Sequence, residues 1–267
     1  MLLALVPARV AAQARPQRAV AAGASSSSTA GGAAGAGVLY EEAAEYTRRK
    51  FAEFEKARTP FDQKLAARTK QEQRDLALRN AATLAARGPL RGTDLYFLGL
   101  LYNLADKPEG ARDAMRRFLA ENPSAAADLA QNARRVQILQ AVRLNLLEEA
   151  AKVLDDYARA EPQRANERYA LENALAVAYY KKEQFDRAAP HALESYRAAK
   201  ISQAAAADRR QRDQIIFNAA LLVAETYTRS KKRAEAVATM RGVLRLGLSY
   251  PSAELYSNAA RTLERYG

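Results

Sequence analysis

Residues 98–123 read LGLLYNLADKPEGARDAMRRFLAENP, and their spacing decides the fold. Leu98-Gly99 and Tyr102 share one helical face, because residues three and four apart are neighbours on a helix. Asp106-Lys107 marks a turn. Ala111, Met115 and Phe118 then form a second stripe at the same period. Pro123 closes it, since proline lacks the donor that a helix interior needs. The unit is a pair of helices with a small residue nine positions after Tyr102.

The unit recurs. A second copy runs Ile138, Ala141, Ala150, Leu154, Tyr157 and Pro162, with Ala150 lying 39 residues after Ala111. A third runs Leu171, Leu175, Ala176, Tyr179, Phe185 and Ala188, within AVAYYKKEQFDRAA, 38 residues further on. A fourth runs Val223, Ala224, Tyr227, Ala236, Met240 and Val243, with an offset of 48, which predicts extended helices around 192–222. A last helix over 252–265 is expected to cap the array, because a repeat stack must cover its final apolar face. A generic helical bundle is the rival reading, but a bundle has no reason to repeat a small residue at this interval.

This pattern resembles the tetratricopeptide repeat family over about residues 90–265, with connections longer than the family's period of about 34 residues. The resemblance implies an all-α fold, a right-handed superhelical stack of antiparallel helix hairpins (an α-solenoid). Small and large positions interlock the two helices of each hairpin, and the first helix of each lines a concave groove. Carried onto this sequence, the groove positions are Tyr96, Leu100, Asn103 and Leu104 in the first unit, then Asn132, Arg135, Leu139, Val142 and Arg143. Asn173, Val177, Tyr180 and Lys181 follow from the third unit, and Asn218, Leu221, Glu225 and Arg229 from the fourth. Asn103, Arg135, Arg143, Asn173, Tyr180, Lys181 and Arg229 are the candidate peptide-binding residues. An Asn amide both donates to and accepts from a peptide backbone, and Arg holds a carboxylate through two parallel bonds. Members that clamp a terminal carboxylate carry a set of Lys, Asn and Arg. Leu100 replaces the central Asn here, so that clamp is incomplete.

Upstream, region 38–90 is read as an N-terminal helical region. A helix over 40–57 sets Tyr40, Ala44, Phe51 and Phe54 on one stripe, and Thr59-Pro60 ends it. A second over 61–86 stops at Gly88-Pro89, and Thr93 or Asp94 is expected to cap the next. Residues 1–37 are rich in Ala, Gly and Ser, carry no acid and are expected to be disordered. Met1–Val6 with Ala12-Gln13-Ala14 suggests a shortened secretory signal, although Pro7 and Arg9 interrupt the apolar run. A basic presequence and a plain tail remain alternatives. No apolar run of membrane-spanning length follows.

Composition narrows the chemistry. With no cysteine among 267 residues, thiolate metal sites, Cys nucleophiles and redox pairs are excluded. The net charge of +12 is spread over helices that also carry acids, and no nucleic-acid-binding motif accompanies it, so no specific nucleic-acid partner is expected. His191 is the only histidine and reads as structural. Glu41-Glu42, Glu148-Glu149 and Asp155-Asp156 are adjacent, so their side chains diverge on a helix and read as a solvated face. Ser25–Ser28 has no positioned base, the glycines from Gly31 to Gly37 lack a P-loop's Lys, and Arg209-Arg210-Gln211-Arg212 sits between Asp208 and Asp213. No catalytic residues, metal or cofactor are assigned.

The stretch LYEEAAEYTRRKFAEFEKARTPFDQ, opening a similarity over about 39–160, resembles the helical-repeat region of bacterial envelope proteins of the TlpA type, where repeats precede a thioredoxin-like domain. The first expectation is therefore a non-catalytic peptide- or protein-binding scaffold in the periplasm or cell envelope. The second is a substrate- or partner-positioning arm of a thiol-disulfide oxidoreductase whose redox domain is absent from this chain, the chain then being a fragment or a scaffold-only member. RNA or regulatory binding by a cytosolic array is a third.

Overall fold

Alanine's helix propensity and the scarcity of β-branched runs leave the chain one kind of regular element. The computed structural model describes residues 34–60, 62–162, 164–202, 209–248, 257, 259–261 and 263–265, and every regular element among them is helical. The helices are α1 (Ala36–Ala44), α2 (Tyr46–Lys56), α3 (Gln63–Ala85), α4 (Thr93–Leu104), α5 (Pro108–Glu121) and α6 (Ala127–Arg143). α7 (Leu147–Arg159), α8 (Ala165–Lys181), α9 (Phe185–Ile201), α10 (Arg209–Arg229) and α11 (Arg233–Leu244) follow. Residues 259–261 and 263–265 are also helical.

The helices pack in chain order. α4 and α5, α6 and α7, α8 and α9, and α10 and α11 are hairpins, and each second helix also packs on the first helix of the next hairpin. A further row of contacts links the first helices, α1 to α4, α4 to α6, α6 to α8 and α8 to α10. α3 packs on α1 and α4 and takes the place of a second helix at the head of this series.

One turn geometry joins the two helices of all four hairpins. Asp106, Asn145, Glu183 and Lys231 each adopt a positive φ, between 59° and 63°. The next residue reaches back to close the end of the first helix. Lys107 donates its N–H to the Tyr102 carbonyl (2.9 Å), Leu146 to Ala141 (2.8 Å), Gln184 to Tyr179 (3.0 Å) and Lys232 to Tyr227 (2.7 Å). These bonds satisfy carbonyls that the helix end leaves open. The same residues accept the first bond of the second helix, from Ala111, Ala150, Ala188 and Ala236.

Those four alanines are fully buried. A larger side chain there would push the hairpin's helices apart, so the small residue fixes their close approach. Gly99 does the same in the first hairpin, where an added Cβ would stand 2.9 Å from Met115 Cε. Gly110 lets α5 close over the Tyr102 ring, which a Cβ would approach to 2.9 Å. Larger side chains fill the space between, with Leu95, Leu101, Met115, Phe118, Ile138, Leu154, Leu171, Leu175, Phe217 and Met240 almost wholly enclosed.

Three local expectations need correction. The helix expected over 40–57 begins at Ala36, inside the segment assigned to the tail, and is interrupted at Glu45. Phe51, placed on its buried stripe, is 37% exposed, because α2 has only α1 and α3 beside it to cover it. α4 starts from Gly92 and has no side-chain cap, Thr93 being its first residue. α3 does have one, as Asp62 accepts the Lys64 N–H at 2.9 Å. The offset of 48 before the fourth unit is taken up by the length of α9 and of α10, which has 21 residues. The signal-like stretch and serine run lie outside the described residues, and the capping helix lies partly outside them, although Ala259 is buried in the core beside α10 and α11.

Candidate protein-binding face

The row α4, α6, α8 and α10 carries the side chains assigned to the groove, and the sequence places them there through the helical period of each first helix. Two of them are not available to a ligand. Tyr96 and Leu100 are buried, Tyr96 against Phe97 and Phe118 with ring centroids 5.5 and 5.4 Å away. Burial of Tyr96 raises its pKa above the ordinary tyrosine value. α1 packs against α4 at this end, bringing the Tyr40 ring to 6.0 Å from Phe97.

Much of the remaining polar surface pairs between neighbouring hairpins. Asn132 donates to the Tyr96 hydroxyl at 2.5 Å, and Arg135 donates twice to the Asn132 oxygen, at 3.0 and 2.7 Å. Gln140 donates to Asn103 at 2.7 Å and accepts from Arg143 at 3.0 Å. Arg143 also donates to Asp106 at 2.5 Å. That guanidinium, by hydrogen bond first, holds the Asp106 carboxyl below its ordinary value of 3.8. On α8, Tyr180 donates to Glu225 of α10 at 2.9 Å and meets Phe185 edge-on at 5.2 Å. Burial, reinforced by the Glu225 carboxylate, pushes the Tyr180 phenol up to about 12.

A simple rule sorts the cations at the ends of the first helices. Asp106 sits at the positive-φ position of the first turn and pairs with Arg143, the last residue of the next first helix. Glu183 holds that position in the third turn and faces Arg229, the last residue of α10, at 3.9 Å. Lys181 ends α8, but the turn residue in the equivalent place before it is the uncharged Asn145. Lys181 is exposed and has no carboxylate partner among the described residues. Asn173, two turns earlier on α8, is half-buried and has no hydrogen-bond partner among them either. Val177 and Tyr180 are partly exposed on the same helix.

Of the seven candidate residues, Asn103, Arg135, Arg143, Tyr180 and Arg229 thus bond within the protein, and Asn173 and Lys181 keep open donors. The sequence reading missed Asp106, Gln140 and Glu183 as the partners that occupy this face. Their signal was their place in the turn or on α6, which shows only once the hairpins are aligned.

Other polar residues have structural partners. His191 Nδ1 lies 2.8 Å from Glu172 Oε2, and its ring stacks on Tyr179 at 5.8 Å. The expectation of a solvated face holds for Glu148, which stays exposed, and not for the part-buried Glu149, although both bridge hairpins. Glu148 pairs with Arg187 and accepts from Tyr179, and Glu149 accepts from Gln137 at 3.1 Å and faces Arg112 at 3.7 Å. Glu42 likewise accepts from Asn80 at 2.9 Å. Asp213, beside the basic cluster, is buried and pairs with Arg212 at 3.1 Å.

Among the described residues no three His, Cys, Asp or Glu side chains converge as metal ligands. No helix among them is long and apolar enough to cross a membrane. No protein-family model matches the chain, and no curated protein matches it.

Proposed function

We propose that the chain is a tetratricopeptide-type superhelical array that binds an extended or helical segment of another protein along its first-helix row and performs no chemistry itself. The observation that carries this reading is the repetition of one turn, one buried alanine and one pattern of neighbour packing through four hairpins. Hairpins joined in this way bury their apolar faces on one another and leave one continuous face to a partner. The open donors Asn173 and Lys181, with the exposed sides of Val177 and Tyr180 between them, are the contact residues on α8. Arg143 and Arg229 act mainly as links between hairpins, and Asn103 and Arg135 help to set the shape of the face.

Photo-crosslinking in the native cell tests this. One probe replaces Asn173, and a control replaces Lys152, an exposed residue of the second helix α7. A discrete protein captured from position 173 and not from 152 is the expected result. Equal capture from both positions, or capture from 152 alone, would remove the first-helix row as the binding face.

A further inference from the structure

The four hairpin turns share one backbone geometry but not one charge. The first two carry Asp106, Glu109, Glu148 and Glu149 beside Lys107 and Arg143. In the third and fourth the balance reverses. Lys181 and Lys182 stand at the third, and Lys231, Lys232 and Arg233 at the fourth, all five exposed. None of these five has a carboxylate partner among the described residues.

The two basic turns are neighbours. Arg229 lies over the Phe185 ring at 4.8 Å and bridges to Glu183 at 3.9 Å. Between the turns is a hollow lined by Phe185, Gln184, Arg187 and Arg229, and also by the acids Glu183 and Asp186. Of the acids nearby, Glu183 faces Arg229 and Glu148 pairs with Arg187, while Asp186 and Glu235 have no cation partner among the described residues. Asp186 and Glu235 sit in the first turns of α9 and α11, where the helix dipole favours a negative charge. Five unpaired cations against two unpaired acids leave an excess of positive charge, which attracts anions.

We propose that this turn edge of the third and fourth hairpins receives an acidic segment of the protein partner, continuing past the end of α8 from the first-helix row. The inference rests on the binding-face reading above. An acidic polypeptide fits better than a nucleic acid, because bases need an aromatic face to stack on. Phe185 offers none, being covered by Arg229 on its face and met by Tyr180 at close range. Lys181 ends the same helix that presents Asn173 and Val177, so one chain can follow from amide and apolar contacts to charge contacts.

The test is fluorescence anisotropy with a labelled peptide of alternating glutamate and leucine. Its glutamine counterpart and a single-stranded DNA serve as comparison probes. Three proteins are compared: the wild type, the edge variant Lys182→Glu/Lys231→Glu/Lys232→Glu, and the face variant Asn173→Ala/Val177→Ser. Circular dichroism melting checks that each is folded. The wild type is expected to bind the glutamate peptide in preference to the other two probes, and less well when salt rises from about 50 to about 300 mM. The edge variant is expected to lose about tenfold or more in affinity. Equal affinity of the wild type and the edge variant would overturn the proposal. So would stronger binding of the DNA, or no binding of the glutamate peptide at low salt. If the edge variant binds normally while the face variant is weakened, the edge proposal fails and the binding-face reading stands. If only the edge variant is weakened, the reverse holds.

Discussion

Glu172 brings a carboxylate into the third hairpin with 4% of its surface exposed, and His191 and Arg168 are the groups that meet it, at 2.8 and 3.7 Å. His191→Ala would leave that buried oxygen without its closer partner, at a cost of about 1–3 kcal/mol. Thermal melting should show the loss, and an unchanged midpoint would mean that the contact contributes nothing to the fold. A second residue-scale prediction concerns pH. Tyr180 has its folded pKa pushed up to about 12 from an ordinary 10.0, so folding favours its neutral form. That contribution is complete below pH 10.0 and is lost as pH rises towards 12. The stability difference between wild type and Tyr180→Phe, measured by denaturant titration, should therefore be constant below this window and shrink within it. A difference that grows with pH would contradict the bond to Glu225.

At the scale of the helix and the hairpin, much was legible in the sequence. Ala111, Ala150, Ala188 and Ala236 mark the close contacts because burial at a helix crossing demands a small side chain, and a small residue nine positions after a Tyr (after Ala141 in the second unit) is visible in a string of letters. The interruption at Glu45 was not visible, since neither Gly nor Pro marks it. The pairing of the binding-face residues was also hidden. Asp106 and Arg143 are 37 residues apart. Because the connections are longer than the family period, nothing local shows that the two come into register. Their exposed side chains, at 41% and 47%, also limit what the link is worth. A double-mutant cycle with Asp106→Ala and Arg143→Ala should give a coupling of about 0.2–1 kcal/mol. A coupling above this range would make the pair a structural keystone, and zero coupling would mean that the link adds nothing to the fold.

For the whole molecule, the consequence of neighbour-only packing is that stability is close to a sum over hairpins and their interfaces. An open array and a closed bundle, the rival reading of the same helical sequence, differ in where the fourth hairpin lies. In a closed bundle the fourth hairpin returns to the first, and in an array it is the farthest from it. The chain has no native cysteine, so spin labels can be placed in pairs without removing any residue of the protein. The decisive measurement is a set of double electron–electron resonance distances from Lys107→Cys at the first turn to Leu146→Cys, Lys182→Cys and Lys232→Cys at the second, third and fourth. Distances that increase in that order are predicted for a stacked array with one continuous binding face. A distance to the fourth turn shorter than that to the third would mean a closed bundle, and would contradict the account.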